Sequence, residues 1–526
     1  MGAELGQPVG GGERRAPLPP AAAPQARLII AVAIGSALEY YNAAVYGVLG
    51  YVIAPQFFPP TNVTASRLSF WATYAVSFIM QPVGALAFGS YGDRHSRRTS
   101  LLISLGMMGS STFLIGCLPG FDLLGWAAPI LLILFRCIQG LAIGGEGGTA
   151  CVWLFESAPR EQRGAAASAN IAGTMAGILL GMGTNLLLEL LLPAGQLATW
   201  GWRLPFWLGG LAAALGLFLR RAMRDPAVFV ARKAEVRAQL ELEELEAAKS
   251  GLSRRPSALA AASHVMGRLA SSFLHPRASG QVPTAVGEAG GAASGCCGHA
   301  HAPAHVHHAT YSPVLAVLRH HLGSVALQFF WGIWMASVFG TYLAYFPLTM
   351  PTYLGVSRSL VIGVTMVNSL PIAGFAWLSG WLSDRGMPRA PAAGAVLLLG
   401  GAAAAPAAWL ASLGAAPTLL TQTFFLSLAG WQAGLIAPSM AVLYPTELRN
   451  TGFNFTSQLV FGVVSGVTPL IVAALQEGGL GPFFAPAPWT AGCACLGAAA
   501  CVYIHYKRPE ASVTPPEDQL WDKPID

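Results

Sequence analysis

Two stretches of the chain place ionisable side chains inside long apolar runs, where such groups are costly unless they face a cavity or a partner. Within residues 28–55, Glu39, Asn42 and Tyr46 recur at three- and four-residue spacing and share one helix face. Within residues 126–155, Arg136, Gln139, Ile143 and Glu146 form a second stripe at the same spacing. An arginine in such a run keeps its proton, so it needs an anion: Glu39, Glu146 or an anionic ligand. A carboxylate there can take up and release a proton, and Glu39 is the group placed to carry one. Each also has a quieter reading: a hydrogen bond between helices for Glu39, a fixed ion pair for Arg136.

The second half of the chain has no Asp, Glu or Lys in the middle of an apolar run. Gln328, Trp331 and Asn368 sit well inside their runs and complete the candidates for ligand contact. Trp334, Tyr342, Tyr345, Trp431, Gln432, Asn454 and Gln458 read mainly as packing or interface residues. No Ser-x-x-Lys, His-Glu-x-x-His or Gly-x-Ser-x-Gly signature lies at a membrane face. No catalytic residue, no cofactor and no enzymatic activity are expected.

The elements that must position these groups are membrane-spanning helices. Of 526 residues, 54% are apolar and only 10% charged, with a mean hydropathy of +0.53. A soluble chain carries about 25% charge. Twelve spans of about 20 residues need about 240 apolar positions, and this chain has more. Apolar runs fall near 28–55, 67–91, 100–118, 126–155, 165–192 and 203–220, then near 322–352, 359–382, 391–411, 418–444, 453–476 and 487–506. The expected architecture is an all-α membrane protein with twelve transmembrane helices in two six-helix halves. Arginines cluster after alternate spans (Arg94, Arg97 and Arg98; Arg160 and Arg163; Arg385 and Arg389; Arg449), and the alternate loops 56–66, 119–125, 412–417 and 477–488 hold no Lys or Arg. Both termini are therefore expected in the cytoplasm. Eight cysteines spread through the chain suit packing rather than a disulfide framework. The net charge of +6 belongs to cytoplasmic loops and gives no reason to expect a nucleic-acid partner.

An internal repeat marks the two halves. Gly89-Ser-Tyr-Gly-Asp93-Arg94-His-Ser-Arg97-Arg98 follows the second run, and Gly380-Trp-Leu-Ser-Asp384-Arg385 follows the eighth. Asp93, Arg94, Arg97, Arg98, Asp384 and Arg385 are expected to form charge contacts that lock the halves on the cytoplasmic side and break when that side opens. The simpler reading is that they only mark topology. Halves of this kind pack around a site at the bilayer midplane.

The expected organisation is a disordered cytoplasmic tail over 1–27, a six-helix half over 28–222, a cytoplasmic loop over 223–320, a second half over 321–506 and a tail over 507–526. Residues 231–248 alternate charge and Leu as a helix would. Further on, Cys296, Cys297, His299, His301, His305, His307 and His308 gather seven metal-type ligands in thirteen residues. They would suit Zn²⁺, Cu or Ni. They lack a fixed Cys-x-x-Cys…His-x-x-x-His frame, so they read first as an inert tether, and no metal is assigned. A carrier or sensor of a metal ion or chelate is the alternative function.

With these motifs the chain resembles a major facilitator superfamily (MFS) transporter, and within it the metabolite:proton symporters that carry proline and betaine, shikimate, α-ketoglutarate or citrate. The resemblance rests on Asp93–Arg98, on Arg136-Cys-Ile-Gln139-Gly140 with Gly144-Gly145-Glu146, on Glu156-Ser-Ala-Pro-Arg160-x-x-Arg163-Gly164, and on Gly201-Trp202-Arg203-Leu-Pro205-Phe206. It implies the MFS fold and a secondary transporter in the plasma (inner) membrane. Its implied partners are a small-molecule substrate, protons and the lipid bilayer, and the chain is expected to act as a monomer. Three positions depart from the family's pattern: Asn42 stands where an Asp is usual, Gln81 where an Arg is common, and Gly147 where an aromatic ring is frequent. An acid and a base have both become amides. The expected substrate is therefore a monocarboxylate or a zwitterion rather than a tricarboxylate.

Overall fold

The structure, a computed structural model, describes residues 26–58, 63–221, 223–235, 238, 242 and 312–508. The chain divides into two compact units, Met1–Ala234 with Pro313–Asp526, and Glu235–Ser312. The second unit lies almost wholly outside the described residues. So do Cys296, Cys297, His299, His301, His305, His307 and His308, nearly all of the N-terminal tail, and the C-terminal tail beyond Arg508. Of the helix expected over 231–248, residues 231–235, 238 and 242 are described, all helical, and the helix there starts at residue 227.

Long apolar stretches interrupted by few charges become helices because every backbone N–H and C=O must be satisfied within the segment in a bilayer. Six such helices build the first half: α1 (Ala26–Val48), α2 (Val63–Arg94), α3 (Arg97–Cys117), α4 (Ala127–Ser157), α5 (Arg163–Leu191) and α6 (Leu204–Arg220). The second half repeats the plan with α7 (Leu322–Phe339), α8 (Arg358–Asp384), α9 (Arg389–Ala411), α10 (Ala415–Met440), α11 (Arg449–Gln458) and α12 (Pro486–Lys507). Among the described residues, ten helical stretches are long and apolar enough to cross a membrane by length and composition. They begin at α3; α1 and α2 stand where the first two apolar runs lie.

Two expected spans are not uniform helices. α7 passes through a π turn, Gly340–Tyr345, into a helix over Phe346–Leu354, and α11 passes through Leu459–Val464 into Ser465–Leu475. Pro347, Pro351 and Pro469 lack the N–H that a regular helix needs, which favours such local rewinding. The first turn lies against the helix that follows the second: a Cβ on Gly340 would stand 2.6 Å from the Ser465 carbonyl oxygen.

Within the first half α1 runs along α5, α2 along α4, and α3 against α4 and α6. Within the second, α8 packs on α10 and α12 on both α9 and α7. The halves meet where α5 lies against α8 and where α11 lies against α2 and α4. Small residues allow that approach, as they do between membrane helices generally. At the α5–α8 crossing a Cβ on Gly164 would sit 2.4 Å from the Gly380 carbonyl oxygen.

Candidate functional site

A cavity of about 200 Å³ opens between the two halves. Its wall is mostly apolar, with Tyr40, Phe78, Phe339 and Phe461 as the large rings. Its polar groups are few: Glu39 of α1, Ser77 and Gln81 of α2, Arg136 of α4 and Ser465 beyond the second π turn. An apolar pocket with a small number of convergent polar groups is the usual form of a small-molecule site. Glu39 is buried, and its Oε2 has no hydrogen-bond partner among the described residues. Glycine at 147 leaves the carboxylate room, since a Cβ there would stand 3.4 Å from Glu39 Oε2 and 3.8 Å from Gln458 Nε2.

Arg136 reaches the cavity with its guanidinium over the Tyr46 ring, 4.0 Å from the centroid. Its Nη1 donates to Gln139 Oε1 at 2.9 Å. Tyr46 and Gln139 are thus neighbours of Arg136 rather than part of the cavity wall. Asn42 lies behind the wall, beside Gly209 of α6, with both polar side-chain atoms buried and unpartnered among the described residues. Glu146 does not reach the cavity either. It forms a buried ion pair with Arg220 at the end of α6, accepts from Ser104 Oγ at 2.9 Å, and leaves Arg220 Nη2 to donate also to the Val32 carbonyl at 3.0 Å. α1, α3, α4 and α6 are tied together at this point.

In the second half, Gln328 donates to the Phe453 carbonyl at 3.0 Å and to Ser457 Oγ at 3.0 Å, joining α7 to α11. Asn368 accepts from Thr423 Oγ1 at 2.8 Å, joining α8 to α10. Trp331 is fully buried, and its carbonyl accepts from Gln432 at 2.5 Å. These three sit between helices, off the cavity wall.

A second constellation lies at the basic end of the bundle, where α2, α4, α8 and α10 finish. Asp93 Oδ2 accepts from Thr451 N at 2.8 Å and Thr451 Oγ1 at 2.7 Å, and Oδ1 accepts from Asn450 N at 3.2 Å. Asp384 does the same for the other pair of helices, accepting from Gly164 N at 2.7 Å and Ala165 N at 2.8 Å. Each carboxylate therefore caps the N-terminus of a helix from the opposite half, where free N–H groups and the helix dipole favour negative charge. Arg97, fully buried, is 3.5 Å from Asp93 and 2.6 Å from Glu156. Glu156 in turn accepts from Arg449 at 2.9 Å, so one carboxylate bridges an arginine from each half. Arg97 also donates to the Thr446 carbonyl at 2.9 Å. Burial pushes the Asp93 carboxyl up to about 7, against the lowering effect of Arg97 and Thr451.

The other basic residues of the repeated motif are differently placed. Arg94 is exposed, and Arg385 is exposed with its guanidinium 3.5 Å from the centroid of Trp381. Arg98 stays within its own half: its N–H donates to Asp225 Oδ1 at 2.9 Å and its Nη2 to the Arg221 carbonyl at 2.9 Å. The segment after α6 crosses the basic end from there. Phe229 lies under Arg97, 4.8 Å from its guanidinium carbon, and Arg232 pairs with Glu447 of the second half.

Sequence reasoning missed Arg220, Thr112 and the bridging role of Glu156 with Arg449. Arg449 reads as a topology marker after a span, Arg220 sits at the end of a run where an arginine does not stand out, and Thr112 carries no signal in an apolar run. The Glu156 block was visible as a motif, but its partner lies 293 positions away.

A family profile described as "Sugar (and other) transporter" matches residues 28–262. The chain is 38% identical over 204 residues to an inner membrane metabolite transport protein, YhjE, of Escherichia coli, a stretch covering 39% of this chain and 46% of that protein. It is 34% identical over 203 residues to the proline/betaine transporter of Escherichia coli, covering 39% of this chain and 41% of that one. The chain thus matches less than half the length of these relatives. In three dimensions it is similar to the MFS proton:xylose symporter XylE bound to 6-bromo-6-deoxy-D-glucose. The TM-score is 0.68 at 16% identity, over 94% of this chain and 98% of the other. The chain shares the fold of that symporter, and the relatives that it matches over part of their length are named as transport proteins.

Proposed function

We propose that this protein is a secondary active transporter that moves a small polar metabolite across the plasma (inner) membrane by alternating access, with proton symport. In this reading twelve helices span the bilayer, both termini are cytoplasmic, and the protein works as a monomer. The basic end of the bundle is the cytoplasmic gate, held closed by Asp93, Asp384 and the bridge through Glu156. The observation that carries the reading is the cavity between the halves with one carboxylate, Glu39, and one guanidinium, Arg136, on an otherwise mostly apolar wall. Glu39 binds the coupling proton. Arg136 takes the substrate's carboxylate by a bidentate contact.

The same geometry selects a monocarboxylate or a zwitterion. A di- or tricarboxylate would leave further negative charge desolvated against aromatic and aliphatic walls, without a cation among the other lining residues to meet it. Gln81, which lines the cavity, offers an amide and no charge. The test is uptake into proteoliposomes with an imposed inward proton gradient, over a panel of monocarboxylates, zwitterions and citrate. Accumulation of a monocarboxylate or zwitterion that citrate does not inhibit is expected. Strong competition by citrate with none by the other two classes overturns the substrate assignment, and gradient-independent uptake overturns the coupling.

A further inference from the structure

The guanidinium of Arg136 is held by a hydrogen-bond chain whose direction is set at its far end. Thr112 Oγ1 donates to the Met108 carbonyl at 2.8 Å. A hydroxyl has one hydrogen, so toward Gln139 this oxygen can only accept. Gln139 Nε2 meets it at 2.8 Å, which fixes the amide's orientation and turns Oε1 toward Arg136, where Nη1 donates at 2.9 Å. The Tyr46 ring closes a second side of the guanidinium at 4.0 Å. All four side chains are shielded from water, with Thr112 and Tyr46 at 0% exposure, Gln139 at 1% and Arg136 at 3%. Water therefore cannot substitute for a lost link.

We infer that Thr112, Gln139 and Tyr46 are positioning residues that aim the guanidinium of Arg136 into the cavity in the orientation a carboxylate needs. The inference rests on the reading of Arg136 as the group that holds the substrate's carboxylate. Thr112 and Gln139 do not line the cavity, so their influence passes through Arg136. Without the Thr112 oxygen the Gln139 amide is free to turn its NH₂ toward the guanidinium. Two donors then face each other, and Arg136 must swing away. Such a swing weakens ligand binding and leaves the opening and closing of the gate as it was.

The test measures uptake of pyruvate, as a monocarboxylate probe, and of glycine betaine, as a zwitterion probe, into proteoliposomes of the full chain. Thr112→Val, close to isosteric, is expected to raise KM about tenfold, the effect of losing roughly one oriented hydrogen bond, with Vmax within about twofold. Thr112→Ser restores KM, because it returns the oxygen. Gln139→Met produces the same split without touching Thr112, which keeps the test open if Thr112→Val folds poorly. The double variant is no worse than Gln139→Met alone, since both break one chain. An unchanged KM in Thr112→Val, equal impairment of Thr112→Val and Thr112→Ser, or a loss confined to Vmax overturns the positioning role. Failure of the wild type to take up either probe overturns instead the reading of Arg136 on which it stands.

Discussion

Replacing Glu156 by glutamine isolates the bridge on which the proposed gate rests. The carboxylate contacts Arg97 at 2.6 Å and Arg449 at 2.9 Å, with all three side chains at 2% exposure or less. The amide of Glu156→Gln would keep the volume and one acceptor but remove the charge between two guanidinium groups. Removing one partner of a buried ion pair costs about 3–5 kcal/mol, because the remaining charge stays desolvated. Arg97 retains Asp93 at 3.5 Å, and Arg449 retains the Ala441 carbonyl at 2.8 Å, which places the cost at the low end. In the proposed alternating-access cycle, opening this end would expose both arginines to water, and the penalty would then fall on the closed state alone. About 3 kcal/mol corresponds to a shift of about 100-fold toward the cytoplasm-open form. Spin labels at exposed Glu161 and Lys507, one in each half, report the distance across the gate by double electron–electron resonance. A distribution moved to longer distances in Glu156→Gln is expected. An unchanged distribution, with unchanged transport rate, refutes the bridge as a lock.

Two further outcomes follow from the buried charges. Burial raises the Asp93 carboxyl to about 7 in this structure; in the proposed gate, opening would expose it and return it to the ordinary carboxylate range, so the closed form would bind the proton more tightly. The stabilisation of the closed form is then complete below about pH 4 and is lost as pH rises through about 7. The same spin labels should show opening as pH rises from about 4 to about 7, and Asp93→Asn should flatten that dependence and lower turnover more than affinity. Arg220→Met, which strands Glu146, should destabilise the fold by about 3–5 kcal/mol in detergent unfolding, while Glu146→Gln with Arg220→Met recovers most of it. A single variant as stable as the double would contradict the pairing.

The helical plan could be read from the sequence because hydropathy records it directly: a run of about 20 apolar residues has few alternatives in a bilayer. The fourth run, expected near 126–155, is the helix Ala127–Ser157. What the runs did not reveal is where backbone geometry departs from a regular helix. The π turn at Gly340–Tyr345 follows from Pro347 and from packing against Ser465, a residue far away in sequence. Residue type and spacing brought Glu39 and Arg136 to notice, since ionisable groups stand out in apolar surroundings. The neighbours of Arg136 did not stand out, because Thr112 costs little in a membrane helix and is linked to Arg136 only through Gln139. Arginines near span ends were ambiguous for the opposite reason. Orientation signals and buried ion partners use the same residue, so Arg94 is exposed while Arg97 and Arg220 are fully buried, and only packing distinguishes them.

The proposed proton coupling turns on Glu39, and one pair of assays on Glu39→Gln measures it directly. A neutral amide keeps hydrogen bonding but cannot titrate. In proteoliposomes, Glu39→Gln should exchange labelled for unlabelled substrate at a rate comparable to the wild type, yet fail to accumulate substrate when a pH gradient is imposed. Undiminished gradient-driven accumulation in Glu39→Gln would contradict the account.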